Sequence, residues 1–289
     1  MISLIVATYN RYNELNRLLT SLISAKQLVQ IIIVDQNDNL NLTPLINEFS
    51  DNGLNIIHLK CVEKNLSNAR NFGIGYATNE LLSFPDDDCY YEPDTIQKVL
   101  DMFSKTDSEI VIGHWVEKNN PFSTVVADIP RENIMSYNLG PICSITIFIR
   151  KKILDCIGGF DARLGVGRRF GAGEEIDLIM RASKYGFHIT FCPQILIHHN
   201  YIHLKYKEFT TCLDVIYRQR GTGALYIKHK LKIRYVLRGL VSPLIKGWGF
   251  LSLKMVLIHF CIFYGRLTGM ILWILAYSEF YKGKKKSVY

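Results

Sequence analysis

The sequence predicts an α/β fold with a mostly parallel sheet, helices on both faces and a basic helical region behind it. Three observations carry this prediction. Short apolar runs at Ser3–Thr8, Ile31–Val34, Asn55–Leu59 and Leu81–Phe84 alternate with stretches of helical spacing, a rhythm that folds as a parallel sheet. Carboxylates stand at or just after the ends of these runs, at Asp35 and Asp86-Asp87-Asp88. Charge is also divided along the chain. Residues 1–200 carry 18 Lys+Arg against 23 Asp+Glu, and residues 201–289 carry 16 against 3.

Ser3–Thr8 reads as a strand that stops at the polar turn Tyr9-Asn10-Arg11. Leu15, Leu18, Leu19, Leu22 and Ile23 then recur at helical spacing. Ile31–Val34 is a second strand, Leu42–Phe49 a helix and Asn55–Leu59 a third strand. Another helix opens at Asn65, with Ser67 as its N-cap. Leu81–Phe84 is the fourth strand, and Pro85 stops it because proline has no N–H for a ladder. Three adjacent carboxylates repel one another and need a cation or donors. The plainer account of Asp86–Asp88 is a solvated acidic turn. Its place after a strand favours a ligand site instead, since open α/β sheets bind at their carboxyl ends. Asp35 reads equally as a turn former or a ligand contact, and Arg70 as a contact or an ordinary helix-surface residue.

Pro93–Phe103 is helical, and Glu109–Trp115 and Ser144–Ile149 are strands. Ile157–Asp161 is a turn, and 164–173 is a Gly- and Arg-rich loop able to close over an anion or simply to lie on the surface. The next helix starts at Gly173-Glu174-Glu175. Glu175, Leu178, Ile179 and Ala182 share one face, so Glu175 is expected above the core-facing stripe. Glu174, Asp177 and Arg181 share another, with Glu174 towards solvent and Asp177–Arg181 spaced for an ion pair. Both acids also suit a helix N-terminus. A partly desolvated Glu175 suits proton abstraction as well. His188–Phe191 and Ile195–Ile197 read as two short strands around Pro193, the second ending on His198 and His199. Those two histidines fit an edge position or a metal or phosphate contact.

Neither GxGxxG after a strand nor GxxxxGK[ST] occurs, which disfavours dinucleotide-dependent oxidoreductases and P-loop enzymes. The seven cysteines form no CxxC pair, as in a reducing cytosol, and the apolar start is too short for a signal peptide. From Tyr206 onward the chain is helical and basic. Lys254, His259 and Arg266 interrupt the apolar stretch of 250–277, leaving uncharged pieces of 11 and 12 residues where a span needs about 20. Two amphipathic interfacial helices are expected, with Lys282–Lys286 adding a polybasic tail for an anionic membrane surface. The plainer account is a helical cap on the domain or on a second subunit of a homo-oligomer. No aromatic-basic platform for nucleic acid accompanies the charge.

Val6–Arg11, Ile32–Asp35, Leu66–Asn71, Asp86–Asp88, Gly158–Asp161 and Gly173–Leu178 occur in an order that resembles the family 2 glycosyltransferases, inverting nucleotide-sugar enzymes of the Rossmann-like GT-A fold. The resemblance covers roughly residues 1–200 and implies a GT-A domain over 1–204 with a membrane-associating region over 205–289. It implies that Thr8, Asn10, Arg11, Asp35, Arg70, Asp86 and Asp87 surround the nucleotide-sugar. Asp86, Asp88 and His199 would hold Mn²⁺ or Mg²⁺. Glu175 would be the base in a place where the family usually has Asp, with Glu174 the other candidate. The implied acceptor is a glycan or lipid-linked hydroxyl in cell-surface polysaccharide synthesis, at the cytoplasmic face of the membrane. A catalytically silent module of the same fold that docks a partner or membrane is the alternative.

Overall fold

The computed structural model describes residues 1–118, 124–135, 142–199, 210–248 and 253–284. The expected boundary at 204/205, the expected helix start at Tyr206 and Lys285–Lys286 lie outside the described residues. Strands are β1 (Ile2–Thr8), β2 (Val29–Asp35), β3 (Asn55–Lys60), β4 (Leu81–Ser83), β5 (Cys89–Tyr91), β6 (Ile110–Trp115), β7 (Ala127–Asp128), β8 (Ile147–Arg150) and β9 (Ile189–His199). Helices are α1 (Tyr12–Leu22), α2 (Thr43–Asp51), α3 (Leu66–Ile74), α4 (Thr95–Lys105), α5 (Arg131–Met135), α6 (Lys151–Ile157), α7 (Glu174–Tyr185), α8 (Thr210–Lys228), α9 (Ile233–Trp248) and α10 (Leu253–Lys284). The described residues divide into two compact units. One holds the sheet with α1–α4, α6 and α7 from Leu178 onward; the other holds Asp161–Asp177 with α8, α9 and α10.

In the first unit the sheet order is β3-β2-β1-β4-β8-β6-β9-β5, with β7 beside β9. β1 to β4 run parallel, as expected, while β8 enters antiparallel to both β4 and β6. The order reverses at β1, where β2 and β3 lie to one side and β4 to the other. Such a switch point opens a crevice at the carboxyl ends of its strands. Every residue of β2 is buried, because helices cover both faces of the parallel part. Leu15, Leu18, Leu19 and Leu22 of α1 are fully buried on one face of that sheet. On the other, α3 lies close, and a Cβ at Gly73 would press on Ile5 and Val34.

The structure moves two expected features and adds a strand. Asn65, not Ser67, caps α3: its side chain accepts from the backbone N–H of Ser67 and Asn68, and Ser67 lies inside the helix. The two strands expected around Pro193 are one strand, β9. Its pairing with β6 steps from Ile112↔Phe191 to His114↔Leu196, so Pro193 falls in a bulge where no donor is required. β5, unforeseen in the sequence, pairs Cys89 with His199 and Tyr90 with His198.

In the second unit α10 is one continuous helix of 32 residues, not two. Its Leu253–Ala276 segment is long and apolar enough to cross a membrane by length and composition alone. Gly265 and Gly269 lie against the backbone of Ile216 and Arg220 on α8, and Gly223 of α8 lies against the Arg266 carbonyl. Only glycine permits so close a crossing.

Gly73→Ala forces a methyl between α3 and the sheet. Overpacking of about 1–3 kcal/mol exceeds the roughly 1 kcal/mol gained in helix propensity, so the urea midpoint should fall.

Candidate functional site

Three strand ends line up in register at the switch point of the first unit. Thr8 is level with Asp35, and Asp35 with Lys60. Asp35 is fully buried and saturated with donors. One oxygen accepts from the Asn37 backbone at 2.9 Å and its amide at 2.7 Å, closing an Asx turn; the other meets His58 at 2.9 Å and Lys60 at 2.7 Å. Burial alone would raise its pKa, but Lys60, Asn37 and His58 outweigh it and hold the carboxyl below the usual range. The turn-former and ligand-contact readings therefore describe the same residue. Asn37 in turn accepts from the Asn10 backbone N–H at 2.5 Å, and Asn10 has a left-handed φ of 57°, which Asn tolerates better than most residues.

After β4, Asp86, Asp87 and Asp88 meet three basic side chains, one of them shared. Asp86 takes the Arg70 guanidinium at 2.8 Å. Arg70 is 1% exposed on α3, so the surface-residue account of it does not hold, and its charge also lies 5.3 Å from the centre of the Phe160 ring. Asp87 meets Arg11 at 3.3 Å. Burial pushes the Asp87 carboxyl up to about 7, against the opposing pull of Thr8 and Arg11. Asp88 pairs with Arg11 and, at 2.9 Å, with His199 Nε2. Burial is outweighed at both partners: Asp88 is lowered by His199 and Arg11, and His199 is raised by Asp88. The triplet is thus not a solvated acidic turn.

Two of the sequence motifs form one device beneath the triplet. Asn71 of α3 donates to the Phe160 carbonyl at 2.8 Å and accepts from its N–H at 2.7 Å. A Cβ at Gly159 would strike the Asn71 side chain. Phe160 meets Phe84 edge-on at 4.7 Å, so the Gly-Gly-Phe turn is pinned under the strand that delivers the triplet.

Asp88, Cys89 and His199 place ligand atoms within 4.8 Å of one another. A carboxylate with an imidazole suits Mn²⁺, with positions left for phosphate oxygens. Cys89 does not fit a hard cation. Burial, with Asp86 and Asp88 nearby, drives its thiol pKa well up, so it stays protonated. Asp88 and His199 are therefore the fitting donors. The His199 end of β9 is fixed by Glu117, which accepts from the His199 N–H at 3.0 Å and contacts the His198 ring at 3.1 Å. Nothing in the sequence pattern singled out Glu117.

Glu174 and Glu175 stand in the first turn of α7, within the second unit. The face expectation is reversed there. Glu174 is buried, at 5% exposure, and Glu175 is half-buried. Asp177, one turn on from Glu174, is fully buried beside Lys228 at 2.5 Å and His229 at 2.8 Å. Lys228 also bridges to Asp161 at 2.6 Å, and Arg163 meets Asp161 at 2.5 Å. Asp177 thus faces Lys228 at the end of α8 and His229 just past it, which a pattern internal to α7 does not reveal. Arg181, expected beside Asp177, donates to the carbonyls of Ile157, Gly158 and Gly159 at 2.5–3.0 Å, closing the end of α6. The loop 164–173 folds back on itself through a Leu164–Phe170 bridge, and Phe170 meets Trp273 at 5.1 Å.

Solved structures share this architecture. S. aureus TarS 1-349 matches with a TM-score of 0.56 at 16% identity, over 95% of this chain and 91% of that one. The mannosyltransferase PcManGT from Pyrobaculum calidifontis, in complex with GDP-Man and Mn²⁺, matches with a TM-score of 0.55 at 13% identity, over 100% of this chain and 80% of that one. The fold is therefore GT-A. The family model described as Glycosyl transferase family 2 matches residues 3–160, over half of the chain, and the chain belongs to that family. The glycosyltransferase AglE of Haloferax volcanii is 22% identical over 207 residues, 68% of this chain and 65% of its own length. The glycosyltransferase GlyA of Streptococcus pneumoniae is 25% identical over 119 residues, 41% of this chain. The chain spans just under two thirds of the first relative and 17% of the second.

Two outcomes are expected. The depressed Asp35 pKa stabilises the fold above the unfolded carboxyl value of about 3.9, and that contribution disappears as pH falls through the lower folded value. The gap in urea midpoint between wild type and Asp35→Asn should therefore be constant near neutrality and close in acid. Lys228→Met leaves two buried carboxylates short of a cation and should cost about 3–5 kcal/mol in unfolding, with Lys228→Arg losing less.

Proposed function

We propose that this chain is an inverting, divalent-metal-dependent glycosyltransferase. It moves a sugar from a nucleotide-sugar to a hydroxyl of a glycan or lipid-linked acceptor in cell-surface polysaccharide synthesis, at the inner face of the membrane. The carrying observation is the Asp86–Asp88 triplet at the sheet's switch point, held by Arg70 on Asp86, Arg11 shared by Asp87 and Asp88, and His199 on Asp88. Family membership supports sugar transfer, and the structures of TarS with UDP-GlcNAc and of PcManGT with GDP-Man and Mn²⁺ support the donor class.

In this reading Thr8, Asn10 and Asp35 line the nucleoside, and Arg11 and Arg70 face the diphosphate side. Asp88 and His199, with Asp86, would hold Mn²⁺ or Mg²⁺. That ion supplies Lewis-acid stabilisation of the diphosphate as charge builds on it. Asp87, buried beside Arg11, lies on the nucleotide-sugar side. Glu175 takes the acceptor proton as the acceptor oxygen bonds to the anomeric carbon and the bond to the diphosphate breaks on the opposite side. Configuration inverts in that single displacement. A base must reach the acceptor, which favours half-buried Glu175 over enclosed Glu174.

Titrating UDP, GDP and dTDP into the full chain with and without Mn²⁺ should show metal-dependent binding of at least one, weakened about tenfold or more by Asp88→Asn. Glu175→Gln should lower kcat about 10²–10⁴-fold with nucleotide affinity unchanged, and Glu174→Gln should lower it less. Metal-independent or absent nucleotide binding would favour the silent docking module.

A further inference from the structure

One helix of the second unit shows water a face that water alone does not explain. On α9, Ile233, Leu237, Val241 and Ile245 recur every fourth residue, and their exposures are 70%, 51%, 44% and 68%. At helical pitch this stripe runs about 18 Å along one side. Arg234 and Arg238, each three residues before a member of that stripe, flank it and are exposed. The opposite side of α9 is occupied: Val236 and Pro243 are buried, and Gly239 lies against Tyr226.

α10 is likewise two-sided. Cys261, Gly265, Gly269 and Trp273 form its inward face, with Cys261 and Trp273 buried and the two glycines on α8. Leu253, Leu257, Phe260, Tyr264, Ile271, Ile274 and Leu275 are exposed. The guanidinium of Arg266 is satisfied inside the bundle, at 2.6 Å from Gln219 Oε1 and 2.5 Å from the Gly239 carbonyl. A helix bound along one side to α8, and through Arg266 to α9, is not available to cross a bilayer alone. Its outward side still needs an apolar neighbour.

Charge selects that neighbour. Residues 215–278 contain ten Lys+Arg and no Asp or Glu. A protein partner would need an acidic surface with an apolar groove; an anionic bilayer offers both properties at once, headgroups for the arginines and acyl chains for the aliphatic row. Exposed aliphatics framed by cations are the pattern of a helix lying in the interface plane.

We propose that the exposed face of α9, with the outward face of α10, is a monotopic docking surface for an anionic lipid bilayer, joined from one side without crossing. This rests on the proposed function only in that a lipid-linked acceptor would place the chain at such a surface. It fixes which residues dock and predicts attachment without a span.

The test uses flotation of the full chain with vesicles of phosphatidylcholine, alone or with phosphatidylglycerol. Binding is expected only with the anionic lipid, falling with salt and stripped by alkaline carbonate. Arg234→Gln with Arg238→Gln should weaken it about 30-fold, from roughly 1 kcal/mol per cation. Leu237→Ser with Ile245→Ser should weaken it at least tenfold. Metal-dependent nucleotide binding should be unchanged in both double variants, which controls for folding; were wild type to bind no nucleotide, the vesicle comparison would still be read by itself. Equal binding to neutral vesicles, resistance to carbonate, or no vesicle binding with self-association abolished by Leu237→Ser and Ile245→Ser would each overturn the proposal.

Discussion

Three negative charges on consecutive residues are the constraint around which the first unit is arranged. Neither burial nor exposure alone resolves their repulsion. The fold separates them and assigns each a counter-group from a different element: Arg70 from α3, Arg11 from the turn after β1, and His199 from the end of β9. Because those elements are far apart in sequence, the triplet can be neutralised only when the sheet is complete. The middle carboxylate, Asp87, receives the least help and is the one that burial pushes up to about 7. Asp88, by contrast, is held below the usual carboxylate range by His199 and Arg11. One local motif thus yields acids of different character without any change of residue type.

The second unit answers the same problem differently. Asp161 and Asp177 share Lys228, and Arg163 completes the set. Breaking such a buried network leaves an uncompensated charge, which is far more costly than any surface ion pair. The turn that carries Glu174 and Glu175 is therefore set by α8 as well as by its own sequence.

Much of this was legible beforehand. The parallel strands β1 to β4 were marked by apolar runs ending on polar turns, and the six ordered motifs pointed to the family. Asp88 and His199, which the resemblance offered with Asp86 as metal candidates, lie 2.9 Å apart. What failed was whatever depended on a partner distant in sequence. The face of α7 was misjudged because Asp177, on the side of Glu174, meets Lys228 and His229 some fifty residues away. Pro193 suggested a break because a bulge is visible only against β6. The Ser67 cap failed for a local reason: Asn65, two residues earlier, accepts from the Ser67 and Asn68 N–H groups and starts the helix before it. Charged residues in α10 implied two short helices, but Arg266 finds its partners on α8 and α9.

The interlock of Asn71 with the turn at Gly159 and Phe160 has a consequence for inheritance. The carboxamide pairs with both backbone groups of one residue, Phe160, while occupying the space a side chain at 159 would need. Neither position can drift alone: a larger residue at 159 displaces the amide, and a shorter one at 71 abandons the turn. Among descendants of this chain the two sites should change together or not at all, despite lying 88 positions apart.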